Sequence, residues 1–128
     1  MTKLIAIATL LFTVLLSAPS YAKWTKVIVA INGDTHYVDF ERIRKHGGYV
    51  YFWSLNDHLK PTKYGDFSAK MYQQGDCKLF RFKDLSISSH KEPMGVGTEK
   101  PYNPKNPEWE YPAPNSMIEI ILKAVCSR

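Results

Sequence analysis

The stretch Tyr49 to Leu55 constrains the fold of this chain more than any other. Tyr49, Tyr51, Trp53 and Leu55 alternate there with Val50 and Phe52, and both sets are bulky. Successive side chains of a strand point to opposite faces of its sheet. A strand apolar on both sides is usually central or covered on both faces. The rest of the chain must therefore supply strands to flank it and a layer to lie over it.

The flanking strands are legible from the turns between them. Trp24 to Ile31 alternates, with Val27, Val29 and Ile31 on one face and Lys26 on the other. Asn32-Gly33-Asp34 suits the positive φ of a tight hairpin. Thr35 to Phe40 is the returning strand, with Val38 and Phe40 opposite Tyr37 and Asp39. Asp39 to His46 is short and polar and reads as one helical turn capped by Asp39, ended by Gly47-Gly48. Asn56 to Gly65, with Pro61, reads as a loop. Asp66 to Gln73 is a further strand and Gln74-Gly75-Asp76 a turn. Cys77 to Ser88 is the next strand, with Cys77, Leu79 and Arg81 on one face and Phe80 and Phe82 on the other. The sum is an antiparallel meander.

After the meander the pattern changes. Residues 93–114 hold Pro93, Pro101, Pro104, Pro107, Pro112 and Pro114. Proline removes backbone donors and is excluded from central strands, so this segment reads as an irregular loop. Trp109 and Tyr111 within it imply partial packing. Gly95-Val96-Gly97 lacks the rest of a phosphate-binding motif and reads as turn geometry. Ser116-x-x-Glu119 is a capping box that opens a helix. Met117, Ile120, Ile121, Ala124 and Val125 form one apolar arc, and Glu119 and Lys123 stand at i, i+4 on the other side. The expected fold is α+β: a small antiparallel sheet with a C-terminal helix packed on it.

The start of the chain has a different logic. Met1-Thr2-Lys3 is followed by apolar residues and Thr from Leu4 to Leu16, then by Ser20-Tyr21-Ala22. A run this short does not span a bilayer, which takes about 20 residues. Residues 1–22 read as a cleaved signal peptide, cut between Ala22 and Lys23, and residues 23–128 as a single domain. No Cys near the cut could accept a lipid, so no membrane anchor is expected on the mature chain. The expected location is the periplasm, the medium or the cell surface.

Export also interprets the two cysteines, Cys77 and Cys126. In an oxidising compartment they read as a disulfide. Closing a loop of about 50 residues stabilises by about 4 kcal/mol in the chain-entropy model. A domain of this size buries only about 60–68% of its unfolded surface, so such a staple matters.

The formal charge is +5, of which Lys3 lies in the leader. That surplus falls well short of the basic stripe of a nucleic-acid binder and favours acidic partners weakly. His36, His46, His58 and His90 form no H-x-H or H-x-x-x-H pair and read as exposed imidazoles, not as zinc ligands. A small hydrolase would draw on His36, His58, Lys70 and Arg81, yet no spacing brings them together. No motif calls for a cofactor. The richer signal is the 8 Tyr, 6 Phe and 3 Trp. About half would fill the core, and the rest must face the helix, the proline loop or a partner.

In order along the chain come Trp24 with Val27, Tyr37-Val38-Asp39, Val50-x-x-Trp53-x-Leu55 and Ser68-x-Lys70. Asp76-Cys77-Lys78-x-x-Arg81 and Met94-Gly95-Val96-Gly97 follow, then a proline stop before Ser116, then Val125-Cys126. This ordered set, running through residues 24 to 126, resembles the surface-adhesin protein E-like family of exported Gram-negative proteins. The resemblance implies a small α+β domain with an antiparallel sheet and a C-terminal helix. It also implies binding of host extracellular-matrix or serum proteins, as in the best-known members.

The functional expectation is an exported, non-enzymatic module that binds a protein partner. The alternatives are a soluble envelope protein without a host ligand and, behind it, the hydrolase. Aromatics and Arg dominate binding energy at protein interfaces, so the candidate contact residues are Lys78, Arg81, Lys83, His90, Lys91, Trp109 and Tyr111. Arg81 is expected to pair with an acid near the helix end. Sheet edges could pair a second copy into a homodimer.

Overall fold

The computed structural model describes residues 22–97 and 99–128. The leader read at residues 1–22 lies outside the described residues except for Ala22. Among the described residues, seven strands form one antiparallel sheet: β1 (Thr25–Val29), β2 (Thr35–Val38), β3 (Arg44–His46), β4 (Tyr49–Asp57), β5 (Ser68–Asp76), β6 (Arg81–His90) and β7 (Lys100–Tyr102). A C-terminal helix, α1 (Met117–Cys126), completes the fold. The spatial order is β1-β2-β4-β5-β6-β7, with β3 also beside β4.

β4, the stretch with two apolar faces, is central as expected. β2 and β3 share one edge of it: β2 pairs along Ser54–Asp57 and β3 along Tyr49–Tyr51. Between them Asp39 caps a 3-10 turn, Phe40–Arg42, by accepting from Glu41 N at 3.2 Å. The cap is the one read from the sequence, but the helical geometry stops at Arg42. Arg44–His46 is extended because Tyr49–Tyr51 needs partners for its backbone groups, and this segment is the one within reach.

α1 lies on the face that carries Val50, Phe52 and Ser54. The core joins Val38, Val50 and Phe52 to Ile121, Leu122 and Val125. Under the helix, Ser54 Oγ donates to Gln73 Oε1 and Gln73 Nε2 to Asp84 Oδ1, each at 2.8 Å, so these three side chains are paired with one another. Ser116 Oγ caps the helix by accepting from Glu119 N at 3.3 Å. The reciprocal half of the box is displaced by one residue: Glu119 Oε1 accepts from Asn115 N, at 3.2 Å.

Gly75 and Asp76 do not turn; they continue β5. The turn comes at 77–80, so Cys77 and Leu79 are not in a strand. Asp76 forces it there, because its Oδ1 accepts from Lys78 N and Leu79 N, both at 3.1 Å. Cys77 is disulfide-bonded to Cys126 at the end of α1, with the Cα atoms 5.6 Å apart. The bond ties the helix end to the turn that leads into β6.

The proline-rich segment is more regular than its composition suggests. A 3-10 turn, Pro93–Gly95, docks on the face away from α1. Met94 N donates to Asp57 Oδ1 and Gly95 N to Ser68 Oγ, both at 2.8 Å. β7 then pairs with Ile87–Ser89, and Glu110 exchanges backbone bonds with Phe82 at 2.8 and 2.9 Å. Proline is compatible with this because the segment sits at the sheet edge, where a missing donor breaks no interior ladder.

The histidines also depart from expectation. His46 is exposed, but His90 is 1% exposed, with Nε2 3.0 Å from Ser88 Oγ. His58 Nδ1 meets Asp34 Oδ2 at 3.1 Å and ties the loop after β4 to the β1–β2 hairpin. Among the described residues, no helix is long and apolar enough to cross a membrane.

Candidate functional site

Once α1 takes the Val50–Phe52 face, the other half of β4 is left to the opposite side. Antiparallel partners share a face, so the register lists what that side displays. One row runs Arg44, Tyr51, Gln74, Lys83 across four strands. The next runs Trp53, Tyr72, Ser86. Ring centres are 6.3 Å apart for Tyr51 and Tyr72 and 4.8 Å for Trp53 and Tyr72. All three rings are half-buried and line the sheet as a continuous aromatic strip.

Each margin of the strip is cationic. On the β3 side, Glu41, Arg42, Ile43 and Arg44 form the wall of a groove of about 600 Å³ floored by Trp53 and Tyr72. Arg42 Nε stands 3.3 Å from Asp39 Oδ2, while Arg44 is exposed. On the β6 side, the pairing of Glu110 with Phe82 puts Trp109 and Tyr111 on this same face, because alternate residues point the same way. The Trp109 ring lies 5.3 Å from that of Tyr49. Arg81 and Lys83 both sit over Trp109, 4.3 and 4.4 Å from its centre.

Asp76 organises that corner. Arg81 Nε donates to Asp76 Oδ2 at 2.9 Å. The Leu79 amide, then Arg81 and the Lys78 amide, hold the Asp76 carboxyl below its ordinary range against the cost of burial. The same bond, with Tyr111 nearby, holds Arg81 more firmly protonated than usual. Arg81 therefore pairs within its own hairpin and not with an acid near the helix end, because Asp76 is its direct partner across β5 and β6.

Of the residues singled out from the sequence, the structure gathers Arg81, Lys83, Trp109 and Tyr111 at one corner. Lys78 is exposed in the adjoining turn. His90 and Lys91 lie at the far end of β6, about 23 Å from Lys83 at 3.3 Å per residue. His90 is buried, and Lys91 Nζ is held by Asp66 at 2.9 Å and by the Tyr64 carbonyl at 2.7 Å. Sequence reading did not single out Arg42, Arg44 and Tyr72 for this face. Tyr51 and Trp53 were visible as members of one alternating set, but only the seating of α1 on the other face leaves these two rings on the open side.

The family model for surface-adhesin protein E matches residues 24–127. The chain belongs to the surface-adhesin protein E family. Family membership supports an adhesin role and suggests an exported or surface location. Two solved structures are similar in fold. Haemophilus influenzae protein E, crystal form II, is 15% identical with a TM-score of 0.61, over 85% of this chain and 91% of that one. Protein E from non-typeable Haemophilus influenzae is 14% identical with a TM-score of 0.58, over 85% and 80%. No curated protein matches the chain. The open aromatic face and its cationic margins are features of this chain's own residues.

Proposed function

We propose that this protein is an exported, non-enzymatic binding module that holds an acidic segment of a protein partner on the face away from α1. The observation that carries the reading is the row Arg44, Tyr51, Gln74, Lys83, with Trp53, Tyr72 and Trp109 beside it. Aromatic area supplies the desolvated centre of an interface. Flanking cations steer an acidic partner and select its register. Membership in a surface-adhesin family supports this use, and the partner class it suggests is a host extracellular-matrix or serum protein. The leader at residues 1–22 is removed, and 23–128 works as one domain.

The test is binding of the Lys23–Arg128 protein to an immobilised panel of matrix and serum proteins. Trp53→Ala should weaken capture at least about tenfold. Arg44→Glu with Lys83→Glu should weaken it and flatten its salt dependence. Wild-type affinity in both variants rejects this face. Protease treatment of intact cells addresses location: digestion of the mature protein supports the adhesin reading, and protection until osmotic shock favours an envelope protein without a host ligand.

A further inference from the structure

We infer that Asp39 is the binding site for the α-ammonium group that leader removal creates at Lys23. The inference rests on the cleavage between Ala22 and Lys23 proposed above. The main-chain nitrogen of Lys23 lies 3.2 Å from Asp39 Oδ2, and Asp39 is 1% exposed. The other end of the same residue is held too, with Lys23 Nζ 3.3 Å from Glu41 Oε2. A lysine at position 23 therefore offers two nitrogens to two acids that stand two residues apart in the 3-10 turn and its cap.

In the precursor the donor at this point is a neutral amide. Hydrolysis breaks the bond between the Ala22 carbonyl carbon and Lys23 N. Water gives its oxygen to the Ala22 carboxyl group, and Lys23 N becomes an amine. An α-amine titrates near about 7.7–8.0, so at neutral pH it is largely protonated. The nitrogen that faced Asp39 as a single neutral donor now faces it as a cation with three donors. Charge-assisted hydrogen bonds are about twice as strong as neutral ones, and the low dielectric around a buried carboxylate strengthens them.

The consequence reaches the binding face. Asp39 Oδ1 caps Glu41 N at 3.2 Å, and its Oδ2 also stands 3.3 Å from Arg42 Nε. Glu41 and Arg42 are the outer wall of the groove over Trp53 and Tyr72. Removing the leader thus does more than release the chain. It supplies the charge that seats the 3-10 turn against β4, where Asp39 N already donates to the Trp53 carbonyl at 3.1 Å.

The experiment compares three proteins of defined N-terminus: Lys23–Arg128 with a free amine, the same chain acetylated at Lys23, and the same chain preceded by one Ala. The extra residue moves the ammonium by about 3.8 Å. The free form should melt at least about 5 °C above the other two. Asp39→Asn, which keeps a capping oxygen, should close the gap. Equal melting of the three forms overturns the proposal, as does a gap that survives Asp39→Asn. Should Asp39→Asn not fold, pH decides: the gap between free and acetylated forms must vanish by about pH 11, where the amine is neutral, and a persistent gap overturns the proposal. These proteins are made with fixed ends, so the result is independent of where the cell cuts. N-terminal sequencing of the exported protein tests the cleavage separately, and a first residue other than Lys23 overturns the natural role.

Discussion

Gly75 and Leu122 meet where a side chain on the first would collide with the second. A Cβ at Gly75 would lie 2.9 Å from Leu122 Cδ1 and 2.9 Å from Val50 Cγ2. This glycine is needed for the close approach of α1 to the sheet, and its φ is not positive. Gly75→Ala should therefore overpack the core and cost about 1–3 kcal/mol. The melting temperature should fall by about 5–20 °C. An unchanged value would mean that α1 rides up to make room and that the contact is not tight.

Acid should destabilise the protein in two stages. Burial holds His90 and His36 below the ordinary histidine range, with Asp34 opposing the effect at His36. In the unfolded chain these rings take up protons near pH 6.5 that the folded state refuses. Stability is then complete above pH 6.5 and declines as pH falls below it. Asp76 and Asp34 are held charged in the folded state, so their share is lost only below their unfolded value of about 3.8. Melting curves from pH 8 to 3 should show both declines. Replacing His90 and His36 by Gln should abolish the upper decline; if it persists, other groups carry it.

The disulfide should carry a large part of the stability. Its sequence separation is 49 residues, which corresponds to about 4 kcal/mol of loop entropy. Reduction, or Cys126→Ser, should lower the melting temperature by about 15–30 °C. The loss should appear first as detachment of α1, read as a drop in amide protection of Ile121, Leu122 and Val125 before that of β4. Simultaneous loss at both would assign the bond to global stability alone.

Two lysines grouped by the sequence should part company in binding. Lys83 stands on the aromatic face over Trp109, and Lys91 is paired with Asp66 at the other end of β6. Lys83→Glu should weaken an acidic partner and flatten its salt dependence, whereas Lys91→Glu should leave affinity nearly unchanged. Equal losses from the two reversals would move the contact surface along β6.

The parts read correctly from the sequence are those set by neighbours along the chain. Asn32-Gly33 turns the first hairpin, Asp39 and Ser116 cap the segments that follow them, and the two apolar faces of Tyr49–Leu55 make β4 central. The misreadings come where a partner distant in sequence decides. Arg44–His46 looks like the rest of a helical turn until β4 offers it an edge. Gly75-Asp76 looks like a turn because glycine beside aspartate is the usual signature, yet Gly75 is there for Leu122, and Asp76 folds the residues after it. The proline segment looked irregular because local rules forbid proline in a strand, and those rules relax at a sheet edge.

The sequence by itself determined that this chain makes a meander closed by a capped helix, that its cysteines form one staple, and which residue types are available to bind. Those outcomes depend on spacing, capping and composition, which act within a few residues or through a single possible pairing. Only the tertiary structure decided which side of β4 is open. Either alternating set could have faced the helix, and the choice was settled by the fit of Ile121, Leu122 and Val125 against Val38, Val50 and Phe52. That packing leaves Tyr51, Trp53 and Tyr72 uncovered between Arg44 and Lys83, and brings the nitrogen of Lys23 to a buried carboxylate. Such proximities are set by how layers pack, and no periodicity along the chain records them.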